Sequence, residues 1–305
     1  MNAAPINRPA AGIGYIVIAM ALFTGMDAVA KWLVANYSIF QILALRGIFS
    51  IILLLPFLVR SKGITGVLRT QNLKGQILRS LLGVGAMFGF FTALRQMQLA
   101  DAVAIGFSGS LFMAALSVPL LGERVGPRRW AAILVGFCGV LIIVQPGSST
   151  FQAASLLVLL SALFYALMMI ATRWLSRTES NVSMVFYHSL VATLIGVVVL
   201  PFVWVKPTPL DWVLFAFMGL FATLAHLAIA QAFRSAPVAV VGPFEYSTLL
   251  WATIIGFFVW QEVPGSNVWY GSVLLVAAGI YILYRETKLA AEARRVIRDT
   301  AQSAE

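Results

Sequence analysis

Long apolar runs separated by short polar breaks dominate the pattern along the chain. Ten of these runs are each about 20 residues long, the length that an α-helix needs to cross a bilayer. They lack the alternation of polar and apolar positions that a spanning strand requires, so they predict helices. The runs cover about residues 11–33, 39–59, 73–94, 101–121, 128–145, 151–173, 181–203, 210–233, 238–260 and 267–284.

The composition restricts this protein to a membrane. Hydrophobic residues make up 61% of the 305 positions and charged residues only 10%, against roughly 45–50% and about 25% in soluble domains. So few charged side chains cannot cover the surface of a soluble fold of this length. This excludes a soluble enzyme, a disordered regulator and a nucleic-acid binder. The predicted fold class is an all-α integral membrane protein of the inner (plasma) membrane, with the lipid bilayer as its surroundings.

The distribution of lysine and arginine predicts the orientation of the ten helices. With both termini on one side, sixteen of these residues fall on that side and three fall on the other, namely Lys31, Arg95 and Lys206. Because positively charged segments stay in the cytoplasm, both termini are predicted to be cytoplasmic. The last segment, 285–305, reads as a basic cytoplasmic tail.

The second half of the chain repeats the first. ALFTGMDAVAKWL begins at Ala21 and ALFYALMMIATRWL begins at Ala162. Each half, 11–145 and 151–284, has five predicted helices, and this odd number turns the second half upside down relative to the first. Inverted repeats are typical of secondary transporters, which bind their substrate near the bilayer midplane between the repeats. Three identities recur at one constant spacing: Arg95 and Arg234, Glu123 and Glu262, and Trp130 and Trp269.

Several segments resemble a known family. ALRQMQLADAVAI and SLFMAALSVPLLGERVGPRRWAAILVGFCGVLIIVQPG, repeated in the second half as QAFRSAPVAVVGPFEYSTLLWATIIGFFVWQEVP, are similar to the EamA-type domain of the drug/metabolite transporter superfamily. The resemblance covers about residues 11–284 and includes Arg46 in LALRGIF. It implies ten helices in a five-plus-five inverted repeat and transport of small metabolites. The aromatic amino-acid exporters are the nearest architectural parallel that it suggests, and importers of riboflavin and S-adenosylmethionine share the pattern.

Ionisable residues inside the predicted helices mark candidate sites, because a charge in the bilayer needs a partner or a water-filled cavity. Asp27 and Lys31 share one face of the first helix, and Arg46 enters the second helix at a comparable depth. We expect either a structural ion-pair cluster or a gate in which Asp27 carries a proton. The structural interpretation is favoured because two cations keep a carboxylate ionised. Glu245, inside helix nine, is a further candidate gating group.

Two more carboxylates end predicted helices. Glu123 closes helix four and Glu262 closes helix nine, where a negative charge opposes the helix dipole. The amides at the start of the following helix would accept each carboxylate, so both are predicted to fix a turn.

A substrate cavity between the repeats is predicted from polar and aromatic residues near mid-span. Pro237 breaks the chain between helices eight and nine, and Pro243 removes a backbone hydrogen bond inside helix nine. Helix breaks beside a cavity are where transporters bind polar groups. Aromatic rings suit an apolar side chain, while hydroxyls and imidazole suit polar ends. An interhelical hydrogen bond is the alternative role for the histidine among them. The predicted substrate-binding residues are Tyr165, His226, Tyr246, Ser108, Ser110 and Phe91.

Alternating-access transport of a small molecule is the expected function, and enzymatic activity is not expected. The chain has no P-loop and no HExxH motif, and it has a single cysteine, Cys138, so no cofactor and no metal are expected. Energy then comes from a solute gradient or a coupled ion. The favoured cargo is amino acids, including aromatic ones, moved outward. Uptake of riboflavin or S-adenosylmethionine is the alternative, and a monomer is sufficient for either.

Two other classes remain open. A passive channel would show non-saturating flux. An intramembrane serine protease is the remote alternative, because the tetrapeptide from Gly106 to Gly109 resembles the GxSG of rhomboid proteases. Ser108 would then be the nucleophile and His188 or His226 its base, within hydrogen-bonding distance.

Overall fold

The computed structural model describes residues 9–61, 70–122, 126–147, 152–176 and 178–302, and every regular element in these ranges is helical. Eight segments of the described chain, with α4 and α5 counted as one, are long and apolar enough to cross a membrane. The elements are α1 Pro9–Val34, α2 Ile39–Ser61, α3 Leu73–Ala93, α4 Leu99–Gly106, α5 Ser108–Leu121, α6 Pro127–Val144, α7 Ala154–Leu175, α8 Asn181–Val203, α9 Pro209–Ser235, α10 Val238–Val241, a 3-10 helix Gly242–Tyr246, α11 Ser247–Trp260 and α12 Ser266–Gln302.

Side-chain caps set where several of the helices begin. Asn72, Ser180 and Thr208 precede α3, α8 and α9, and each side chain accepts a hydrogen bond from the backbone amide three residues later. Pro127 and Pro209 occupy the first position of α6 and α9, where a missing amide hydrogen has no cost.

Two of the predicted helices are not continuous, which corrects the single runs expected for 101–121 and 238–260. The 3-10 helix separates α10 from α11, because Pro243 cannot donate the hydrogen bond that would continue an α-helix. Phe107 separates α4 from α5 without a proline; the Ser110 amide and hydroxyl both donate to its carbonyl, at 3.1 and 2.8 Å.

The two breaks occupy equivalent positions in the two halves. Phe107 follows Arg95 by as many positions as Tyr246 follows Arg234, the repeated arginine. The rings of Phe107 and Tyr246 meet edge to face with centroids 4.9 Å apart. The interrupted helices of both halves therefore touch at their breaks.

Helices of the two halves pair with each other. α1 packs along α9, and its counterpart α7 packs along α3. The remaining long pairs are α2 with α8 and α6 with α12, each of which joins a helix to its own repeat counterpart. The apolar faces of each half are therefore buried mainly against the other half.

The bundle has two ends, which we name after the residues in two equivalent turns. The Tyr37 end carries the connections α1–α2, α3–α4, α8–α9 and α11–α12, and the Glu179 end carries the α7–α8 connection and the start of α3. Tyr37 follows Trp32 by as many positions as Glu179 follows Trp174, the repeated tryptophan. The amides of Tyr37 and Glu179 each donate to the carbonyl of the fourth residue before them at 2.9 Å.

The last helix does not stop where the apolar run ends. α12 continues without a break from Ser266 to Gln302, so the predicted tail is an extension of the last spanning helix.

Candidate functional site

Asp27 and Arg46 lie at the same depth on adjacent helices. Asp27 is two turns before Val34, the last residue of α1, and Arg46 is two turns after Ile39, the first residue of α2. Two turns of helix correspond to about 10 Å, so both charges lie well inside the bundle.

Arg46 is incompletely satisfied by the protein. Its Nη1 donates to the Met87 sulfur at 2.9 Å, and a thioether is a weak acceptor. Its Nε is buried and has no hydrogen-bond partner in the described structure. Among the described side chains, only Lys31 and Glu262 bring charged atoms within the 4.0 Å of a salt bridge. Asp27 and Arg46 are therefore not in direct contact.

His188 of α8 belongs to the same region, although the sequence analysis did not include it in the site. It follows Glu179 by as many positions as Arg46 follows Tyr37, so the repeat register was the signal that could have found it. Its ring fills the space left by Gly83, where an added Cβ would lie 2.6 Å from the His188 Cε1. Its Nδ1 is buried without a hydrogen-bond partner in the described residues.

A small cavity lies between α2 and α8 beside these two side chains. Its volume of about 20 Å³ is enough for one water-sized group. Arg46 and His188 supply its charged and polar wall, together with Ser50 and Ser189. The two orphan nitrogens therefore have a space beside them that a small polar group can enter.

His226 is exposed on α9, in the middle of a spanning helix. Its Nδ1 lies 2.7 Å from the Ala222 carbonyl, which can only accept a hydrogen bond, so Nδ1 carries the proton and Nε2 is left available. The ring meets Phe23 of α1 edge to face at 5.2 Å. This hydrogen bond lies within one helix and does not join two helices.

A second cluster of polar side chains consists of Tyr165, Glu245, Tyr246 and Ser110. Tyr165 is 47% exposed although it packs beside α5, where a Cβ on Gly109 would lie 3.3 Å from its ring. The Tyr246 ring, next to Glu245 in the chain, packs on the Phe107 ring, and the Phe107 carbonyl accepts the Ser110 hydroxyl at 2.8 Å. Four of the predicted site residues thus come together near the break between α10 and α11.

Two of the predicted binding residues are buried among other side chains. Phe91 is 2% exposed, and Ser108 is fully buried with a hydroxyl that has no hydrogen-bond partner in the described structure. The Ser108 hydroxyl also lacks the histidine contact that a serine nucleophile needs.

Lys31 and Glu262 form a contact that differs from both predictions for them. The Lys31 ammonium pairs with the Glu262 carboxylate and donates to the Met97 carbonyl at 3.0 Å, so it does not join Asp27 and Arg46. Glu262 also accepts the Leu99 amide at 3.0 Å, which caps α4 and not the helix that follows Glu262. Glu123 lies outside the described residues.

The Tyr37 end holds an open cavity of about 660 Å³, within the size range of small-molecule sites. Lys31, Arg95 and Trp260 line it, and the Lys31 ammonium lies 5.0 Å from the centre of the Trp260 ring. The Arg95 guanidinium donates to the Tyr37 carbonyl at 2.8 Å. This cavity gives access to the bundle from the Tyr37 end.

At that end the Tyr37 hydroxyl donates to the Asp211 carboxylate at 2.6 Å, and the Thr208 hydroxyl donates to the same oxygen at 2.6 Å. Burial raises the pKa of Tyr37, and the bond to Asp211 raises it further. The turn after α1 is thereby fastened to the start of α9.

Glu179 performs the equivalent fastening at the opposite end. Its carboxylate accepts the Thr70 hydroxyl and the Gln71 amide, both at 2.8 Å, and the Asn72 amide at 3.1 Å. Burial alone would raise the pKa of Glu179, but these bonds, with one from Gln76, outweigh it and hold the pKa below 4.5. Neither of these two contacts was predicted from the sequence, because each joins residues more than 100 positions apart.

The sequence matches the EamA-like transporter family at residues 10–145 and again at residues 152–285, which together cover nearly the whole chain. The chain belongs to the EamA-like transporter family. As a member of the drug/metabolite transporter superfamily it is a multi-pass protein of the inner membrane, as the sequence predicted.

Relatives within the family cover most of the chain. An S-adenosylmethionine uptake transporter of Rickettsia bellii is 28% identical over 277 residues, which are 91% of this chain and 94% of that protein. A riboflavin transporter of Vibrio cholerae is 28% identical over 95% of this chain and 98% of that protein. The pseudopaline exporter CntI of Pseudomonas aeruginosa is 29% identical over 88% of this chain and 94% of that protein.

A solved crystal structure of another protein shares the fold. It superposes with a TM-score of 0.62 at 17% sequence identity and covers 88% of this chain and 95% of that chain.

Proposed function

We propose that this protein is a secondary transporter that moves a small metabolite by alternating access between two inverted five-helix repeats, 11–145 and 151–284. In this proposal ten helices span the membrane, both termini are cytoplasmic, and the Tyr37 end faces outward. The separate family matches to each half and the pairing of equivalent helices across the halves support the repeat. The excess of lysine and arginine at the other end supports the orientation.

The observation that carries the proposal is a set of exposed polar side chains in the middle of spanning segments. His226 and Tyr165 are exposed, yet they lie on helices long and apolar enough to cross the membrane, and Glu245 is exposed in the 3-10 helix Gly242–Tyr246. Polar groups at that depth face a water-filled path far more often than lipid. They come from the second repeat and lie against helices of the first, which is where a transporter with inverted repeats binds its cargo.

The proposed cargo is S-adenosylmethionine or a closely similar metabolite, taken up into the cell. Relatives named as S-adenosylmethionine uptake transporters occur in several Rickettsia species at 26–28% identity. No relative reported above is named as an amino-acid exporter, so export of aromatic amino acids gives way to the uptake alternative. Riboflavin is the second candidate, supported by relatives at 28% identity and by the exposed Tyr165 ring, on which a flat ring system can stack.

The proposal does not include enzymatic activity. The relatives are named as transporters, and the Ser108 hydroxyl is buried away from any described base.

Proteoliposomes that contain the full chain test this function. Labelled S-adenosylmethionine should enter with saturable kinetics and without ATP, and unlabelled S-adenosylmethionine should compete. Saturable uptake of riboflavin with none of S-adenosylmethionine would replace the first cargo with the second. Non-saturating entry of both compounds would indicate a channel and contradict alternating access.

A further inference from the structure

We propose that Asp27 and Arg46 bind the α-amino-acid end of the cargo, with the carboxylate at Arg46 and the ammonium at Asp27. This inference rests on the proposed transport function and names the chemistry that the site recognises. It assigns both residues to substrate recognition, in place of the structural ion pair that the sequence predicted for them.

First, Arg46 has a buried donor without an acceptor and no salt-bridge partner among the described side chains. Its Nε is buried without an acceptor in the described structure, and Nη1 reaches only the Met87 sulfur. A buried charged donor without an acceptor is strongly destabilising in a membrane, so it needs an anionic or polar group. The small cavity lined by Arg46 is also lined by His188, whose buried Nδ1 lacks a partner in the described residues, and it has room for one water-sized polar group.

The second argument concerns the gap between the two charges. Asp27 and Arg46 lie at matching depths on α1 and α2, but among the described side chains they do not form a salt bridge. Lys31, which could have neutralised Asp27, is held by Glu262 and the Met97 carbonyl. A carboxylate and a guanidinium held apart in this way suit a ligand that carries both opposite charges.

An α-amino acid meets this requirement because a single carbon atom separates its ammonium from its carboxylate. Its carboxylate can accept from the Arg46 guanidinium while its ammonium donates to Asp27. S-adenosylmethionine ends in this group, whereas riboflavin has neither charge. The Asp27–Arg46 pair therefore discriminates between the two candidate cargoes.

Binding to the purified full chain, followed by thermal stabilisation and by titration calorimetry, tests the inference. The ligands are S-adenosylmethionine, methionine, riboflavin and decarboxylated S-adenosylmethionine, which keeps the nucleoside, the sulfonium and the ammonium but lacks the carboxylate. We expect S-adenosylmethionine to bind and its decarboxylated form to bind roughly 10- to 100-fold more weakly, the effect of losing hydrogen bonds to a charged group. Equal binding of these two would overturn the inference and leave the proposed function intact.

Substitutions of Asp27 and Arg46 provide a second test, which examines each charge by itself. Asp27→Asn and Arg46→Gln should each weaken S-adenosylmethionine roughly 10- to 100-fold, while Arg128→Gln, which changes an exposed arginine of α6, should bind like the wild type. Asp27→Glu and Arg46→Lys keep the charges if the first variants do not fold. If the wild type bound methionine but not S-adenosylmethionine, and both variants lost methionine binding, the proposed cargo would be rejected and the inference supported. Binding of riboflavin alone would overturn both.

Discussion

At the level of single residues, the contacts of Lys31 show what sequence can and cannot indicate. Because Lys31 is a charged residue inside a predicted spanning helix, the sequence predicted that it needs a partner. The neighbour four residues away on the same helix, Asp27, was the partner that sequence distance suggested. The actual partners are Glu262 and the Met97 carbonyl, 231 and 66 positions away, and only the tertiary arrangement brings them to Lys31.

This ion pair predicts a double-mutant cycle. Lys31→Met and Glu262→Gln should each lower the free energy of unfolding in detergent by about 3–5 kcal/mol, because each leaves the opposite member without its partner. The double variant should lose clearly less than the sum of the two. Lys206→Met, which removes an exposed lysine at the same end, is the control and should melt like the wild type. Strict additivity would show that the two side chains do not interact.

Glu179 predicts a pH dependence of stability at the opposite end. Because its pKa is lower in the folded protein than when unfolded, its contribution is present above about pH 4.5 and is lost as pH falls through the depressed value. The thermal midpoint of the wild type should therefore fall between pH 5 and pH 3 more steeply than that of Glu179→Gln. Thr70→Val, which removes one donor to the carboxylate, should shift the fall to higher pH. Identical acid profiles in all three proteins would rule out this role.

At the level of whole helices, the apolar runs predicted nearly every element. Caps and prolines such as Asn72 and Pro127 lie at the predicted boundaries because their local chemistry acts over a few residues. The break at Phe107 was missed because neither proline nor a charged residue marks it. The pairing of α1 with α9 and of α3 with α7 could not be predicted from the sequence either, because it depends on where small residues let distant helices approach each other.

The contact between α6 and α12 gives a prediction at this level. A Cβ on Gly139 would lie 2.6 Å from the Gly271 carbonyl oxygen, so Gly139→Leu must push the two helices apart. We expect a loss of about 1–3 kcal/mol or more in the free energy of unfolding, measured by thermal melting in detergent. Gly14→Leu is the matched control, since nothing lies within 4 Å of a Cβ there. Equal melting of both variants would contradict the close approach.

At the level of the whole molecule, two equivalent turns fasten the two ends of the bundle in related ways. Tyr37 binds Asp211 at one end, and Glu179 binds Thr70 and its neighbours at the other. A molecule built from inverted repeats has two such ends, which alternating access opens in turn. The sequence predicted the repeat, and the repeat register could have pointed to His188. The separation of Asp27 from Arg46 was not predictable, because it appears only in three dimensions.

Counterflow tests alternating access most directly. Proteoliposomes are preloaded with unlabelled S-adenosylmethionine and diluted into a trace of the labelled compound, without ATP or an ion gradient. A carrier that exposes one site alternately to each side should accumulate label transiently above the external concentration, and preloading should raise the rate of entry. Label that only equilibrates, at a rate indifferent to preloading, would contradict alternating access between the two repeats.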